Sequence, residues 1–133
     1  MIRIAVVEDE EYYVNQLTGY LNEYQKTEKE ELDITVYRDG DAVTAEYKSQ
    51  FDIILMDIQM KFVDGMTAAE EIRKMDSEVV IIFITNMTQY AIRGYEVDAL
   101  DYVLKPVSYF ALSQKLKRAV SRIKKRSSKY ITL

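Results

Sequence analysis

Three carboxylates, one hydroxyl and one amine stand out along this chain of 133 residues: Glu8 and Asp9, Asp57, Thr85 and Lys105. Each sits where an apolar run ends. "IRIAVV" runs into Glu8-Asp9, "FDIILM" into Asp57, "VVIIFI" into Thr85, and "DYVL" into Lys105-Pro106. Three carboxylates brought together repel, and one must take a raised pKa unless a cation intervenes. With neither histidine nor cysteine in the chain, an all-oxygen ligand set points to Mg²⁺ rather than zinc. The remaining groups suit a phosphoryl group. Asp57 can act as nucleophile and form an aspartyl phosphate. Lys105 and the cation would neutralise the equatorial oxygens, and the Thr85 hydroxyl would donate to one of them. Each residue also has an ordinary role, as helix cap, strand-end hydroxyl or surface lysine. Taken singly, the ordinary role is the commoner one; all five falling on one sheet edge is not ordinary.

That edge is set by the elements the pattern predicts. Strands are expected at Ile2 to Val7, Leu32 to Arg38, Phe51 to Met56, Glu78 to Thr85 and Asp101 to Lys105. Between them the spacing predicts helices at Tyr12 to Tyr24, Asp41 to Lys48, Met66 to Met75 and Thr88 to Tyr95. Asp64-Gly65 reads as a turn. Ser108 is placed to cap a last helix running to about Arg126, with the apolar stripe Leu112, Leu116, Ala119, Val120 and Ile123. Five strands alternating with five helices mean βαβ units and an α/β fold, a parallel sheet with helices on both faces. In such a sheet the carboxyl ends of the strands share one edge, where open α/β sheets hold their ligands.

Composition narrows the function further. The absence of cysteine excludes disulfides, thiol catalysis and thiolate metal sites, and the absence of histidine excludes imidazole bases and phosphohistidine on this chain. No apolar run is long enough for a membrane span and no secretory pattern opens the chain, so a cytoplasmic location is expected. The net charge of −4 hides a division: residues 1–101 hold 22 acidic and 9 basic residues, whereas residues 102–133 hold 9 basic and none acidic.

With "VVEDEE", "ILMDIQM…DG", "FITN" and "ALDYVLKP", the sequence resembles a response-regulator receiver domain of two-component signalling across nearly its whole length. The resemblance implies a flavodoxin-like, doubly wound sheet of strand order 2-1-3-4-5. It also implies that Asp57 accepts a phosphoryl group from a sensor histidine kinase. Glu8, Asp9, Asp57 and the backbone carbonyl of Gln59 would hold Mg²⁺, and Thr85 and Lys105 would bind phosphoryl oxygens. Tyr102 matches an aromatic that changes rotamer with Thr85, and Pro106 a cis-proline. Such a module catalyses its own phosphotransfer and a slow autodephosphorylation, and is not otherwise an enzyme. Three positions depart from the pattern: Lys61 stands where proline is usual, and Gln59 and Asn86 border the path of an attacking water.

The basic stretch "KLKRAVSRIKKRSSKY" invites a nucleic-acid reading, but its apolar stripe belongs to a core-facing helix. A solvated helix face leading to a linker is the stronger expectation. The expected division is a receiver over residues 1–126, then a linker and the start of a truncated output domain over 127–133. "YEVDALDYVLKPV" and "RSSKYITL" resemble regulators with a LytTR-type DNA-binding domain, so DNA contact is expected only through the missing domain. Homodimerisation is expected, if at all, through the fourth helix, fifth strand and fifth helix. A stand-alone receiver and a phosphorylation-independent pseudo-receiver are the alternatives. A haloacid-dehalogenase-type phosphatase would need a second aspartate where Gln59 stands.

Overall fold

The computed structural model describes residues 1–86 and 101–131, with residues 127–131 by backbone alone. Five parallel strands form one sheet in the order β2-β1-β3-β4-β5. These are β1 (Ile2–Val7), β2 (Leu32–Tyr37), β3 (Ile53–Asp57), β4 (Val80–Thr85) and β5 (Asp101–Leu104). The strand order reverses between β1 and β3, where Val7 stands beside Met56, and this crevice is the expected place for a ligand.

The apolar strands are buried on both faces because each serves two cores. Ile4, Val6, Ile53, Leu55, Ile82 and Ile84 point into one layer. Ala5, Val7, Ile54, Met56, Ile81 and Phe83 point into the other. This is why the runs are continuous rather than alternating. The first layer is closed by α1 (Glu11–Glu28), through Leu17, Leu21 and Tyr24, and by the C-terminal helix (Tyr109–Ile131), through Leu112, Leu116, Ala119 and Val120. The second is closed by α2 (Gly40–Ala45) and α3 (Gly65–Met75), through Val43, Met66, Ala68, Ala69 and Ile72.

Polar side chains set the element boundaries. Asp39 caps α2 by accepting from Ala42 N at 2.7 Å, Asp64 caps α3 from Thr67 N at 2.8 Å, and Ser108 accepts from Ala111 N at 3.1 Å, as expected for that cap. β4 starts at Val80 rather than Glu78 because the Asp76 carboxylate takes the N–H groups of Glu78 and Val79, at 2.9 and 3.2 Å. Helix α2 stops before Lys48, as Tyr47 turns inward to pack on Phe51 and Ser49 adopts a left-handed backbone. The C-terminal helix continues past Arg126 to Ile131, so Tyr130 and Ile131 are helical where their residue types suggested the start of a strand. The helix expected near Thr88 to Tyr95 lies outside the described residues.

The charge division has a structural counterpart. On the C-terminal helix, Lys115 and Arg118 meet Asp101 at 2.8 and 3.4 Å, Lys117 meets Glu28 at 3.6 Å, Lys124 meets Glu30 at 2.7 Å, and Arg126 meets Glu78 at 3.3 Å. Much of the basic face is therefore turned onto acids of the body.

Two glycines behave oppositely. A Cβ on Gly65 would stand 1.9 Å from the Asp57 carbonyl oxygen, whereas one on Gly19, exposed within α1, would meet nothing within 4 Å. Gly65→Ala is expected to destabilise the fold by about 1–3 kcal/mol. Gly19→Ala should stabilise it by roughly 0.4–1 kcal/mol. Urea unfolding of both variants checks the pair; equal midpoints would contradict the packing at Gly65.

Candidate functional site

Asp57 is the last residue of β3 and only 3% exposed, and Glu8, directly after β1, is fully buried. Adjacent strands of one parallel sheet bring them together, and Asp9 joins them from the β1–α1 turn. One carboxylate oxygen from each of Glu8, Asp9 and Asp57 falls within 4.8 Å of the others, a spacing that fits a shared cation. Lys105 reaches the cluster from the end of β5: its Nζ lies 3.0 Å from Glu8 Oε1 and 3.3 Å from Asp57 Oδ1. The Lys105-Pro106 peptide is cis, and the Lys105 N–H still donates to the Thr85 carbonyl at 2.8 Å. Thr85 ends β4, buried, beside Leu104 in register.

The electrostatics follow from burial. Loss of water and the neighbouring Glu8 charge push the Asp57 carboxyl up to about 7, and Lys105 only partly offsets them. This is the raised value the sequence pattern required of one member of the cluster. Burial also works against the Lys105 charge, but Asp57 and Glu8 outweigh it and leave the ammonium's pKa raised. One amine thus bridges two dry carboxylates, with a third beside them. The donors are hard oxygens, and the charge left over is negative, so the residues present fit a hard divalent cation.

The other expected residues sit as follows. Gln59 is exposed in the loop after β3 and lines a cleft with Asp9, Glu10, Met60, Lys61 and Asp64. Tyr102 lies opposite Phe83 in register and is 36% exposed, so it is not a core tyrosine. Asn86 is exposed at the end of β4. Lys61 contributes through its backbone, its N–H donating to Asp9 Oδ2 at 3.0 Å; a proline there would lack this donor.

Two features escaped the sequence reading. Gly65 is more than half of a turn: it opens α3, its N–H donates to the Ile58 carbonyl at 2.8 Å, and its bare Cα lets the helix press against the Asp57 backbone. An Asp-Gly pair signals a turn, but the close approach is visible only in three dimensions. The second is Tyr13, whose ring centroid lies 3.8 Å from Lys105 Nζ. Nothing in the periodicity of α1 marks it.

Comparison with known proteins agrees with this geometry. The model of the response regulator receiver domain matches residues 4–117. The chain is similar to the sensory transduction protein LytT of Bacillus anthracis, 37% identical over 120 residues, covering 89% of this chain and 47% of that protein. It is also similar to the transcriptional regulatory protein LytR of Staphylococcus aureus, 29% identical over 128 residues, covering 96% and 49%. The chain thus spans about half the length of these curated relatives. Among solved structures, the response regulatory domain of protein mrkE from Klebsiella pneumoniae superposes with a TM-score of 0.81 at 25% identity, covering 93% of this chain and 99% of that one. A two-component response regulator from Clostridium difficile, 21% identical and covering 92% and 98%, shares the fold at 0.79. The family model spans most of the chain, and the residues that carried the resemblance meet at one end of the sheet: the chain belongs to the response regulator receiver domain family.

Proposed function

We propose that this receiver domain takes a phosphoryl group onto Asp57 from a sensor histidine kinase and passes the change to an output domain. The observation that carries the reading is the buried Asp57 carboxylate at the sheet edge, with Lys105 Nζ at 3.3 Å and the Glu8 and Asp9 carboxylates within ligand-sharing distance. Glu8, Asp9, Asp57 and the Gln59 carbonyl would hold Mg²⁺, which when bound neutralises charge on the phosphoryl oxygens and on the acidic cluster. An Asp57 oxygen attacks phosphorus as the P–N bond to the kinase's histidine breaks and that imidazole leaves, while Lys105 stabilises the transferring group from one side and the Thr85 hydroxyl donates from another. Thr85 and Tyr102 would then couple the modification to a two-state equilibrium of the β4–β5 side of the domain. Slow self-dephosphorylation follows from the same constellation, with water as acceptor.

The relatives suggest the setting. LytT and LytR are named for sensory transduction and transcriptional regulation, and both are about twice this chain's length. We read this chain as a cytoplasmic regulator's receiver, residues 1–126, acting on a LytTR-type DNA-binding domain reached through residues 127–133. A homodimer would use the β5 face and its flanking helices. Direct DNA binding by the receiver is disfavoured by the ion pairs that turn its basic helix onto the acidic body. Among the described residues no helix is long and apolar enough to cross a membrane.

Incubation with acetyl phosphate and Mg²⁺ is expected to add one phosphate to the intact mass of the wild type. The gain should be absent in EDTA and in Asp57→Asn. A wild type that gains nothing across a range of incubation times would favour the pseudo-receiver.

The charge balance gives a second outcome. The Asp57 carboxyl titrates near 7 in the fold but at an ordinary, lower value when unfolded. Between those values the folded state holds the extra proton, so metal-free stability falls as pH rises through this window. At pH 8 in EDTA, Asp57→Asn should therefore melt higher than wild type, by about 3 °C or more. The gap should close toward pH 4, and Mg²⁺ should raise the wild-type Tm far more than the variant's. Calorimetry across pH checks it, and a wild type that gains stability between pH 5 and 8 without metal would contradict the buried charge.

A further inference from the structure

The Lys105 ammonium has three N–H donors. Two are directed at carboxylates, Glu8 Oε1 at 3.0 Å and Asp57 Oδ1 at 3.3 Å. The remaining side of the nitrogen meets the face of Tyr13, 3.8 Å from the ring centroid. The lysine side chain is only 9% exposed, so little water competes for that position. A cation over an aromatic face is attracted by the ring quadrupole, more so when desolvated. Tyr13 lies in the first turn of α1, and the exposed neighbouring Tyr12 ring meets it edge-on, centroids 5.1 Å apart at 87°.

We propose that Tyr13 is a positioning residue for phosphoryl transfer, its ring face serving as the seat that holds the Lys105 ammonium over Asp57. The inference rests on the phosphoacceptor reading and deepens it. A lysine is a point charge on a flexible stem with several rotatable bonds. Of its two carboxylate partners, Asp57 becomes an acyl phosphate as it is modified, so the contact at Asp57 Oδ1 must be remade during transfer, whereas the contacts to Glu8 and to the ring need not be. The ring does not change during transfer. It gives the ammonium a third contact beside those to Glu8 Oε1 and Asp57 Oδ1 and keeps water from that position. The role requires the aromatic face and makes no use of the phenol hydroxyl.

The test compares Tyr13→Phe, which keeps the face, with Tyr13→Leu, which keeps apolar bulk and helix propensity without it. The first readout is the rate of phosphorylation by acetyl phosphate at saturating Mg²⁺. The Leu variant should be slower by roughly tenfold, in line with a desolvated cation–π contact, and the Phe variant within about twofold of wild type. The second readout is independent of phosphorylation. The Lys105 Hε protons should show an upfield ring-current NMR shift in the wild type and in Tyr13→Phe, lost in Tyr13→Leu, with all three proteins melting cooperatively. A Leu variant as fast as wild type, or a Phe variant as slow as Leu, would overturn the proposal. If the wild type accepts no phosphate while the ring-current shift persists, the phosphoacceptor reading has failed and the transfer role falls with it. Loss of rate with no wild-type ring-current shift would overturn the seat alone.

Discussion

The site depends on a carboxylate held almost wholly out of solvent. Asp57 closes a strand whose preceding residues are buried on both sides, and the sheet continues past it on either hand through β1 and β4. Dry surroundings make the anion costly and therefore responsive, since any nearby positive charge interacts with it more strongly than in solvent. Lys105 is the covalently attached answer to that cost, and a hard cation would be a removable one. The charges of the site thus share one electrostatic conflict, created by two cores that pack the strands from both faces.

Most of this arrangement was legible in the residues. Continuous β-branched runs between helical stripes gave parallel strands, and a parallel sheet puts all the strand-end polar residues on one edge. Glu8, Asp9, Asp57, Thr85 and Lys105 are therefore recognisable together from the sequence. The boundaries were less legible because they are decided by side chains acting locally: the Asp76 carboxylate withholds two N–H groups from β4, and Tyr47 turns inward and ends α2. The last helix outruns its expected end because Tyr130 and Ile131, β-prone by residue type, continue the helix that precedes them. Tyr13 and the backbone role of Lys61 could not be read at all. Each acts across elements, through a ring face or a main-chain N–H that carries no sequence signature.

The opposed charges of the two chain regions also have a physical reading. The acidic body and the basic C-terminal helix meet as complementary surfaces, with pairs that are individually weak because most are solvent-exposed. Their joint effect is orientation more than stability. They set the helix against the ends of α1, β4 and β5 while its apolar stripe supplies the burial.

The stretch between Ile58 and Gly65 carries a different consequence. Ile58 is buried, and the Gly65 N–H donates to its carbonyl at 2.8 Å, so the loop is pinched shut at its base. Its contact with Asp9 runs through the main chain of Lys61, and the side chains of Gln59, Lys61, Phe62 and Asp64 face solvent. Changing the outward-facing Gln59, Lys61 or Phe62 side chain would therefore leave the backbone around Asp57 in place, whereas Asp64 also caps α3. The rim of the site faces solvent while its floor is packed, and Phe62, 81% exposed, places a large apolar side chain on that rim.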